Sequence, residues 1–133
     1  MKRYLLDTSA LLTLRDDEAG AARVADLLGR AQAGEVKCLA CFITLMAVLY
    51  RVWRDEGERA GRLAYEQCRA LPIDWVHEST GLLERAAAIK AQHAVSLADA
   101  WVAASAELGA AVLVHKDPEF EALPLEQERL PYK

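Results

Sequence analysis

The sequence has few cysteines, no long hydrophobic run and no excess of positive charge, and each of these absences excludes a class of protein. Its 133 residues include three cysteines, an odd number, which argues against a disulfide framework and favours a reducing compartment. The first apolar run ends at Asp7 after only three residues, too early for a signal peptide. No apolar stretch approaches the ~20 residues of a membrane helix. We therefore expect a soluble protein that acts in the cytoplasm without membrane contact.

The charge balance excludes a protein that coats nucleic acid through bulk positive charge. The chain has 16 basic and 20 acidic residues, a net charge of −4, whereas such proteins are basic. Any polyanion must therefore be contacted by a local patch or through a bound cation. The sequence also has no glycine-rich phosphate loop and no Gly-x-Ser-x-Gly motif, so nucleotide hydrolysis and acyl transfer have no support.

What the sequence does contain is a series of short apolar segments that alternate with helical patterns. Neither a repeat nor a linker-like stretch interrupts residues 1–133, so we expect one domain. The predicted strands cover residues 4–6, 36–42, 73–76 and 111–114. The predicted helices begin near residue 11 and cover residues 18–33, 44–55 with Thr44 as the cap, 58–70, 80–92 and 96–109. This alternation is typical of βαβ units and predicts an α/β fold, in which helices cover both faces of a parallel sheet.

Three aspartates occupy positions at which a parallel sheet places its functional groups. Asp7 directly follows the first predicted strand, Asp117 follows the last one, and Asp99 lies in the first turn of an apolar helix. Taken singly, each has a structural explanation as a helix cap or as part of a capping box. Taken together, they predict a carboxylate cluster, because binding sites in such folds lie beyond the carboxyl ends of the strands.

Such a cluster is unstable unless it is protonated or neutralised by a cation. Three carboxylates about 6 Å apart repel one another by roughly 3 kcal/mol per pair at an effective dielectric constant of about 20. A ligand set made only of oxygen favours Mg²⁺ or Mn²⁺ over zinc. A hard cation here suits phosphodiester cleavage, because it neutralises the phosphate and activates water. A receiver-like phosphotransfer domain is disfavoured, since Asp7-Thr8-Ser9 supplies one acid where that fold needs adjacent acids.

Three segments of the chain carry a family resemblance. The sequences Tyr-Leu-Leu-Asp-Thr-Ser-Ala-Leu-Leu at 4–12, Ser-Leu-Ala-Asp-Ala at 96–100 and Leu-Val-His-Lys-Asp-Pro-Glu-Phe at 113–120 resemble the PIN-domain nucleases, most closely VapC-type toxins of toxin–antitoxin pairs. The resemblance implies a three-layer α/β/α sandwich with a mostly parallel central sheet. It also implies Mg²⁺- or Mn²⁺-dependent cleavage of single-stranded RNA, a cognate antitoxin and a homodimer. Through it, Asp7, Asp99 and Asp117 match the family's metal-binding and catalytic acids, and Ser9 matches a small polar residue that supports Asp7.

The chain departs from the family pattern at Ala47, where the family has a fourth acid, a glutamate. No acid occurs between Glu35 and Asp55, so no neighbouring residue replaces it. On a helix with about 100° per residue, Ala47 shares a polar face with Arg51 and Arg54. Ala47 therefore lies where an inward-reaching carboxylate is expected.

The alanine at position 47 has two explanations. Natural divergence would leave a catalytically inactive module that binds RNA or protein. An engineered Glu→Ala exchange would make a toxic nuclease safe to express, and we favour it because the other three acids and their flanking sequences are intact. If the missing carboxylate supplied about 3 kcal/mol of transition-state stabilisation, the rate would fall about 100-fold. We therefore expect an impaired ribonuclease.

Arg51 and Arg54 are the basic residues assigned to the site, because they share the helix face of Ala47. We expect them to contact RNA phosphates or a partner chain. His115 lies two residues before Asp117 and is a candidate phosphate contact, with a surface or core histidine as the favoured alternative.

Cys38 and Cys41 form a C-x-x-C motif, which in other contexts binds a metal or catalyses redox chemistry. Metal binding would need a second pair of ligands, and only one further cysteine and scattered histidines remain. The motif also falls in a predicted strand, where the odd spacing directs the two side chains to opposite faces. We interpret both cysteines as core residues.

Overall fold

The computed structural model, which describes residues 1–132, contains a five-stranded sheet whose neighbouring strands are all parallel. The strands are β1 (Lys2–Leu6), β2 (Val36–Cys41), β3 (Asp74–Val76), β4 (Val112–His115) and β5 (Gln127–Arg129). Their order across the sheet is β3-β2-β1-β4-β5. The predicted α/β class with a parallel sheet is therefore confirmed.

Helices cover both faces of this sheet. In the part of the chain that the structure describes they are α1 (Thr8–Arg15), α2 (Ala21–Gln32), α3 (Phe42–Glu56), α4 (Glu58–Arg69), α5 (Thr80–Gln92) and α6 (Leu97–Leu108). Helices α1 to α4 pack against one face, and α5 and α6 pack against the other, which confirms the three-layer arrangement. None of the helices within residues 1–132 is long and apolar enough to cross a bilayer.

Strand β1 contributes to two hydrophobic cores at once. Tyr4 and Leu6 belong to the core beneath α1 to α4, whereas Leu5 belongs to the core beneath α5 and α6. The reason is that successive side chains on a strand point to opposite faces. The same geometry separates Cys38 from Cys41, which lie in opposite cores and are both free and buried. The core interpretation of the C-x-x-C motif is confirmed.

Two of the predicted helix starts are wrong. Thr44 does not cap α3, because the ladder with β3 ends at Cys41 and the helix begins at the next residue. Thr44 instead lies buried inside α3, where its hydroxyl accepts a hydrogen bond from the Thr8 hydroxyl at 3.1 Å. Helix α2 begins at Ala21 instead of residue 18, because Gly20 adopts a φ of 101°, a conformation that breaks the helix.

Strand β5 has no counterpart among the predicted strands. It consists of the three residues Gln127–Arg129, which are only partly buried, and it pairs with β4 at the edge of the sheet. A short polar edge strand does not need an apolar run, so hydrophobic patterning does not detect it. Its first residue, Gln127, becomes important beneath the candidate site.

The strand order creates a switch point between β1 and β4. The chain places β2 and β3 on one side of β1, and then β4 and β5 on the other side. At such a point the connections leave the sheet in opposite directions, and a crevice opens beyond the carboxyl ends of the strands. Asp7 directly follows β1 and Asp117 lies two residues after β4, so both acids leave the sheet at this crevice.

Candidate metal and active site

A cavity of about 470 Å³ opens at this switch point. Its walls come from the start of α1, one face of α3, the start of α6 and the turn after β4. The lining residues are Asp7, Thr8, Ser9, Ile43, Met46, Ala47, Tyr50, Arg51, Ala98, Asp99 and Asp117. The three aspartates, Ser9 and Ala47 thus come together in one cavity, although they are up to 110 positions apart in the chain.

Asp7 caps α1 and faces the cavity with the same carboxylate. Its Oδ1 accepts a hydrogen bond from the backbone N–H of Ala10 at 2.8 Å, and the Ser9 hydroxyl lies 2.7 and 2.8 Å from its two oxygens. Burial of Asp7, which is 3% exposed, raises its pKa to about 7. The bonds from Ser9 and Ala10 and the charge of Arg51 oppose this shift, while the charge of Asp117 adds to it.

Asp99 lies in the first turn of α6, with its backbone held by the predicted cap. The Ser96 hydroxyl accepts a hydrogen bond from the backbone N–H of Asp99 at 3.1 Å. In a complete capping box the carboxylate of Asp99 would return a bond to the backbone N–H of Ser96. That N–H instead donates to Glu119 from the turn after β4. The Asp99 carboxylate is therefore available to the cavity.

Glu119 is a site residue that the sequence analysis missed. One carboxylate oxygen from each of Asp99, Asp117 and Glu119 lies within 4.8 Å of the other two. Asp117 and Glu119 share a short 3₁₀ turn, Pro118–Phe120, in which Asp117 Oδ1 accepts the backbone N–H of Glu119 at 3.0 Å. The signal that could have revealed it is its position two residues after Asp117. The sequence analysis considered only the three aspartates that match the family pattern. Asp7 lines the same cavity but does not belong to this close group of three.

Burial and nearby carboxylates both disfavour the charged form of Asp99. The pKa of Asp99 is raised to about 8, first by burial and then by the neighbouring carboxylates of Asp117 and Glu119. The pKa of Asp7, which lines the same cavity, is also raised. Acids with such pKa values hold a proton near neutral pH unless a cation replaces it. The arrangement is therefore suited to binding a positive ion.

Helix α3 forms one wall of the cavity. Ala47 and Arg51 both line the cavity, as their shared helix face predicts. Arg54 lies outside the lining: its Nε donates to Asp55 at 2.9 Å, and its guanidinium lies over the Tyr50 ring, 5.6 Å from the centroid. Of the two predicted arginines, only Arg51 reaches the cavity.

His115 is not a phosphate contact, so that candidate role is wrong. The residue is fully buried at the end of β4. Its Nε2 lies 2.8 Å from Gln127 Oε1, and its Nδ1 accepts the backbone N–H of Asp117 at 3.0 Å. Both ring nitrogens are therefore occupied inside the protein, and the alternative interpretation as a core histidine is correct.

Comparison with solved structures shows the same fold in toxin–antitoxin systems. VapBC2 from Rickettsia felis, solved bound to a DNA fragment from its promoter, matches with a TM-score of 0.78 and 15% identity over 97% of this chain and 99% of that one. VapC20 from Mycobacterium tuberculosis, described as a sarcin–ricin loop cleaving toxin, matches with a TM-score of 0.69 and 17% identity over 92% and 95%. A toxin–antitoxin complex from Klebsiella pneumoniae matches with a TM-score of 0.65 and 23% identity over 91% and 92%.

These identities are low, and they establish the fold alone. No curated protein sequence matches the chain significantly. A family model for the PIN domain matches residues 4–125, which cover most of the chain and include every acid of the cavity. Together with the parallel sheet and the carboxylates at its switch point, this match identifies the family, and the chain belongs to the PIN domain family.

Proposed function

We propose that this chain is one PIN domain spanning residues 1–133, and that it is a Mg²⁺- or Mn²⁺-dependent endoribonuclease, the toxin of a toxin–antitoxin pair. The observation that carries the proposal is the group of carboxylates at the switch point of the sheet, with Arg51 lining the same cavity from α3. Its activity is impaired, because position 47 on that helix is an alanine.

The donor set fits a hard divalent cation. Asp99, Asp117 and Glu119 offer carboxylate oxygens close enough together to share one ion, and Asp7 offers a further carboxylate in the same cavity. No histidine or cysteine joins them among residues 1–132, and oxygen ligands suit Mg²⁺ or Mn²⁺. Burial raises the pKa of Asp7 and Asp99, and nearby carboxylates add to the shift, so a bound cation would stabilise their charged forms.

The residues of the cavity would have different roles in cleavage. When bound, the cation would neutralise the scissile phosphate and increase the acidity of water. Asp99, Asp117 and Glu119 would hold it, and Asp7, fixed by Ser9 and by the N-terminus of α1, would complete the set and orient the attacking water. Arg51 would contact a phosphate of the RNA from the α3 wall, where a charge-assisted hydrogen bond positions the substrate.

Ala47 explains why we propose weak activity. It lines the cavity from α3, so a glutamate there would reach towards the carboxylates. We retain both explanations for the alanine, and the genomic codon for residue 47 distinguishes them. The alternative function, a catalytically inactive module that binds RNA or protein, uses the same cavity without chemistry.

The decisive experiment compares the chain with two variants on single-stranded RNA in the presence of Mn²⁺. Ala47→Glu should raise the cleavage rate about 100-fold, the equivalent of roughly 3 kcal/mol. Ala47→Gln is the matched control, because it adds nearly the same volume without the charge, and it should leave the rate low. Asp99→Asn in the Ala47→Glu background should abolish the gain. Tight RNA binding with no cleavage in any of these proteins would favour the binding module.

An antitoxin partner is part of the same proposal. The structural relatives described above are a toxin–antitoxin complex, a VapBC protein and a toxin. Large apolar side chains on α3 are exposed: Met46 and Tyr50, which line the cavity, and Trp53 further along the helix. A partner segment that covers them would also block access of RNA to the acids. Co-expression with the protein encoded by a neighbouring gene, followed by cleavage assays with and without it, tests this directly.

We also propose a cytoplasmic homodimer. Leu83 and Leu97 are exposed at the groove between α5 and α6, which has a volume of about 360 Å³ and contains Trp101. A second copy packed there would remove these side chains from water. Light scattering should show a dimer that Leu97→Glu converts to a monomer, and a monomer in the unchanged protein would contradict the proposal.

A further inference from the structure

The buried side chain of His115 lies directly beneath the turn that carries Asp117 and Glu119. His115 is the last residue of β4, and its ring makes an edge-to-face contact with the ring of Phe120 at the end of the turn, with centroids 5.1 Å apart. The turn therefore rests on the imidazole. Because the side chain is fully buried, the hydrogen bonds of its two nitrogens are fixed by protein groups alone.

The orientation of the Gln127 amide determines which nitrogen of His115 carries the proton. Gln127 Nε2 donates to the carbonyl oxygens of Phe120 at 2.8 Å and Leu123 at 3.2 Å. Carbonyl oxygens only accept, so the amide nitrogen must face them and the amide oxygen must face His115. That oxygen lies 2.8 Å from Nε2 of His115. The proton is therefore on Nε2, and Nδ1 is left as an acceptor.

The acceptor nitrogen holds the backbone of the turn. Nδ1 of His115 receives the N–H of Asp117 at 3.0 Å. Asp117 then uses Oδ1 to hold the N–H of Glu119 at 3.0 Å. A chain of directed bonds thus runs from Gln127 through His115 to the two acids. A different tautomer would place two N–H groups against each other at Asp117.

We propose that His115, kept in its Nε2–H form by Gln127, is a positioning residue that sets the carboxylates of Asp117 and Glu119 for cation binding. The inference rests on the proposed function for the identity of the cation, but the tautomer and the backbone contact do not depend on it. Groups that orient metal ligands without touching the metal typically contribute 10- to 100-fold to affinity.

The first test uses metal-free, ¹⁵N-labelled protein. Long-range ¹H–¹⁵N correlation spectra should show His115 as a neutral imidazole protonated on Nε2, and either the Nδ1–H form or an imidazolium would overturn the proposal. His115→Asn places an amide oxygen near the position of Nδ1, whereas His115→Gln reaches only towards Nε2. The backbone amide signal of Asp117 should remain close to its original position in His115→Asn and move in His115→Gln.

The second test measures Mn²⁺ affinity by calorimetry after thermal melts have verified folding. We expect His115→Asn to bind within about 3-fold of the unchanged protein and His115→Gln to bind about 10-fold more weakly. Equal affinities in all three proteins, or equal losses in both variants, would overturn the proposal. If His115→Gln is unfolded, Gln127→Met takes its place, because it removes the acceptor that selects the tautomer. Absence of Mn²⁺ binding in the unchanged protein would contradict the proposed function alone, since the Asp117 amide signal still tests the positioning role.

Discussion

The Ser9 hydroxyl accepts a hydrogen bond from the backbone N–H of Lys116 at 2.8 Å while it contacts the carboxylate of Asp7. One side chain at the start of α1 thereby connects the acid after β1 to the segment after β4. Because the Ser9 oxygen accepts the bond from Lys116, the single proton of the hydroxyl is free to be donated to Asp7. Ser9 is therefore a direct side-chain link between the segments that carry Asp7 and Asp117.

Replacing Ser9 with alanine should destabilise the protein and raise the pKa of Asp7 further. The variant leaves the N–H of Lys116 without its partner, which typically costs about 1–3 kcal/mol, and it removes a bond that lowers the pKa of Asp7. Urea unfolding measures the first effect and carboxyl ¹³C titration the second. Thr8→Ala is the control, since the Thr8 hydroxyl donates its hydrogen bond to Thr44. An unchanged pKa of Asp7 in Ser9→Ala would contradict the assignment.

The stability of the metal-free protein should fall as pH rises from about 4 to about 8. Asp7 and Asp99 have raised pKa values in the folded state, about 7 and about 8, so the folded chain binds more protons than the unfolded chain across this range. By linkage, the contribution of these two carboxyl groups to stability is fully present below their pKa in the unfolded chain. It is lost as the pH rises through their pKa values in the folded chain. Thermal melts in a chelator at pH 5 and pH 8 measure the slope.

Mn²⁺ should reverse that trend, because it replaces the protons on the deprotonated acids. The gain in melting temperature on adding Mn²⁺ should be larger at pH 8 than at pH 5. Asp99→Asn removes one of the two titrating groups and should flatten the metal-free slope. Equal slopes in Asp99→Asn and in the unchanged protein would show that the pKa of Asp99 is not raised in the folded state.

Glu119→Gln should weaken Mn²⁺ binding, because Glu119 supplies one of the three carboxylates that lie close together. We expect a loss of at least about 10-fold, as for the removal of an orienting or liganding group. Glu121→Gln is a matched control on the same segment, because Glu121 is exposed and pairs with Arg129 and Tyr132 instead. Equal affinities of the two variants would remove Glu119 from the site.

Arg51→Gln should reduce the affinity for single-stranded RNA more than Arg54→Gln does. Arg51 lines the cavity, whereas Arg54 is paired with Asp55 outside it. The two changes remove the same charge from the same helix, so bulk electrostatics predicts equal losses of RNA affinity. A phosphate contact in the cavity predicts a larger loss for Arg51→Gln. Fluorescence anisotropy at two salt concentrations separates these cases, and equal losses would argue against a specific role of Arg51.

Gly61→Ala should destabilise the packing of α4 against α3, which carries Ala47 and Arg51. A Cβ at position 61 would lie 2.8 Å from both the Leu49 carbonyl oxygen and the Trp53 Cβ, and overpacking of this kind typically costs about 1–3 kcal/mol. Gly29→Ala in α2 is the matched control. Nothing lies within 4 Å of a Cβ there, and helix propensity favours alanine by up to about 1 kcal/mol. Urea unfolding should give opposite signs for the two variants.

The sequence by itself determined most of the helices and strands and the positions of Asp7, Asp99 and Asp117 relative to them. Strands that are buried on both faces appear in the sequence as apolar runs, and the ends of two such runs placed Asp7 and Asp117 at one edge of a parallel sheet. Residues near the helix starts also carry local signals. Helices α5 and α6 begin close to the predicted positions, and the side chains of Ser79 and Ser96 cap them. These features depend on residues within a few positions of one another, which is why a linear pattern reveals them.

The tertiary structure alone decided which side chains meet. Glu119 joins the acids because its turn packs against the start of α6, 23 positions earlier in the chain. His115 is turned away from the cavity because the polar edge strand β5 brings Gln127 to its other nitrogen, and the helix face that joins Arg51 to Arg54 extends beyond the cavity wall. Each of these outcomes depends on packing between elements that are distant in the chain. A pattern of neighbouring residues does not reveal such packing.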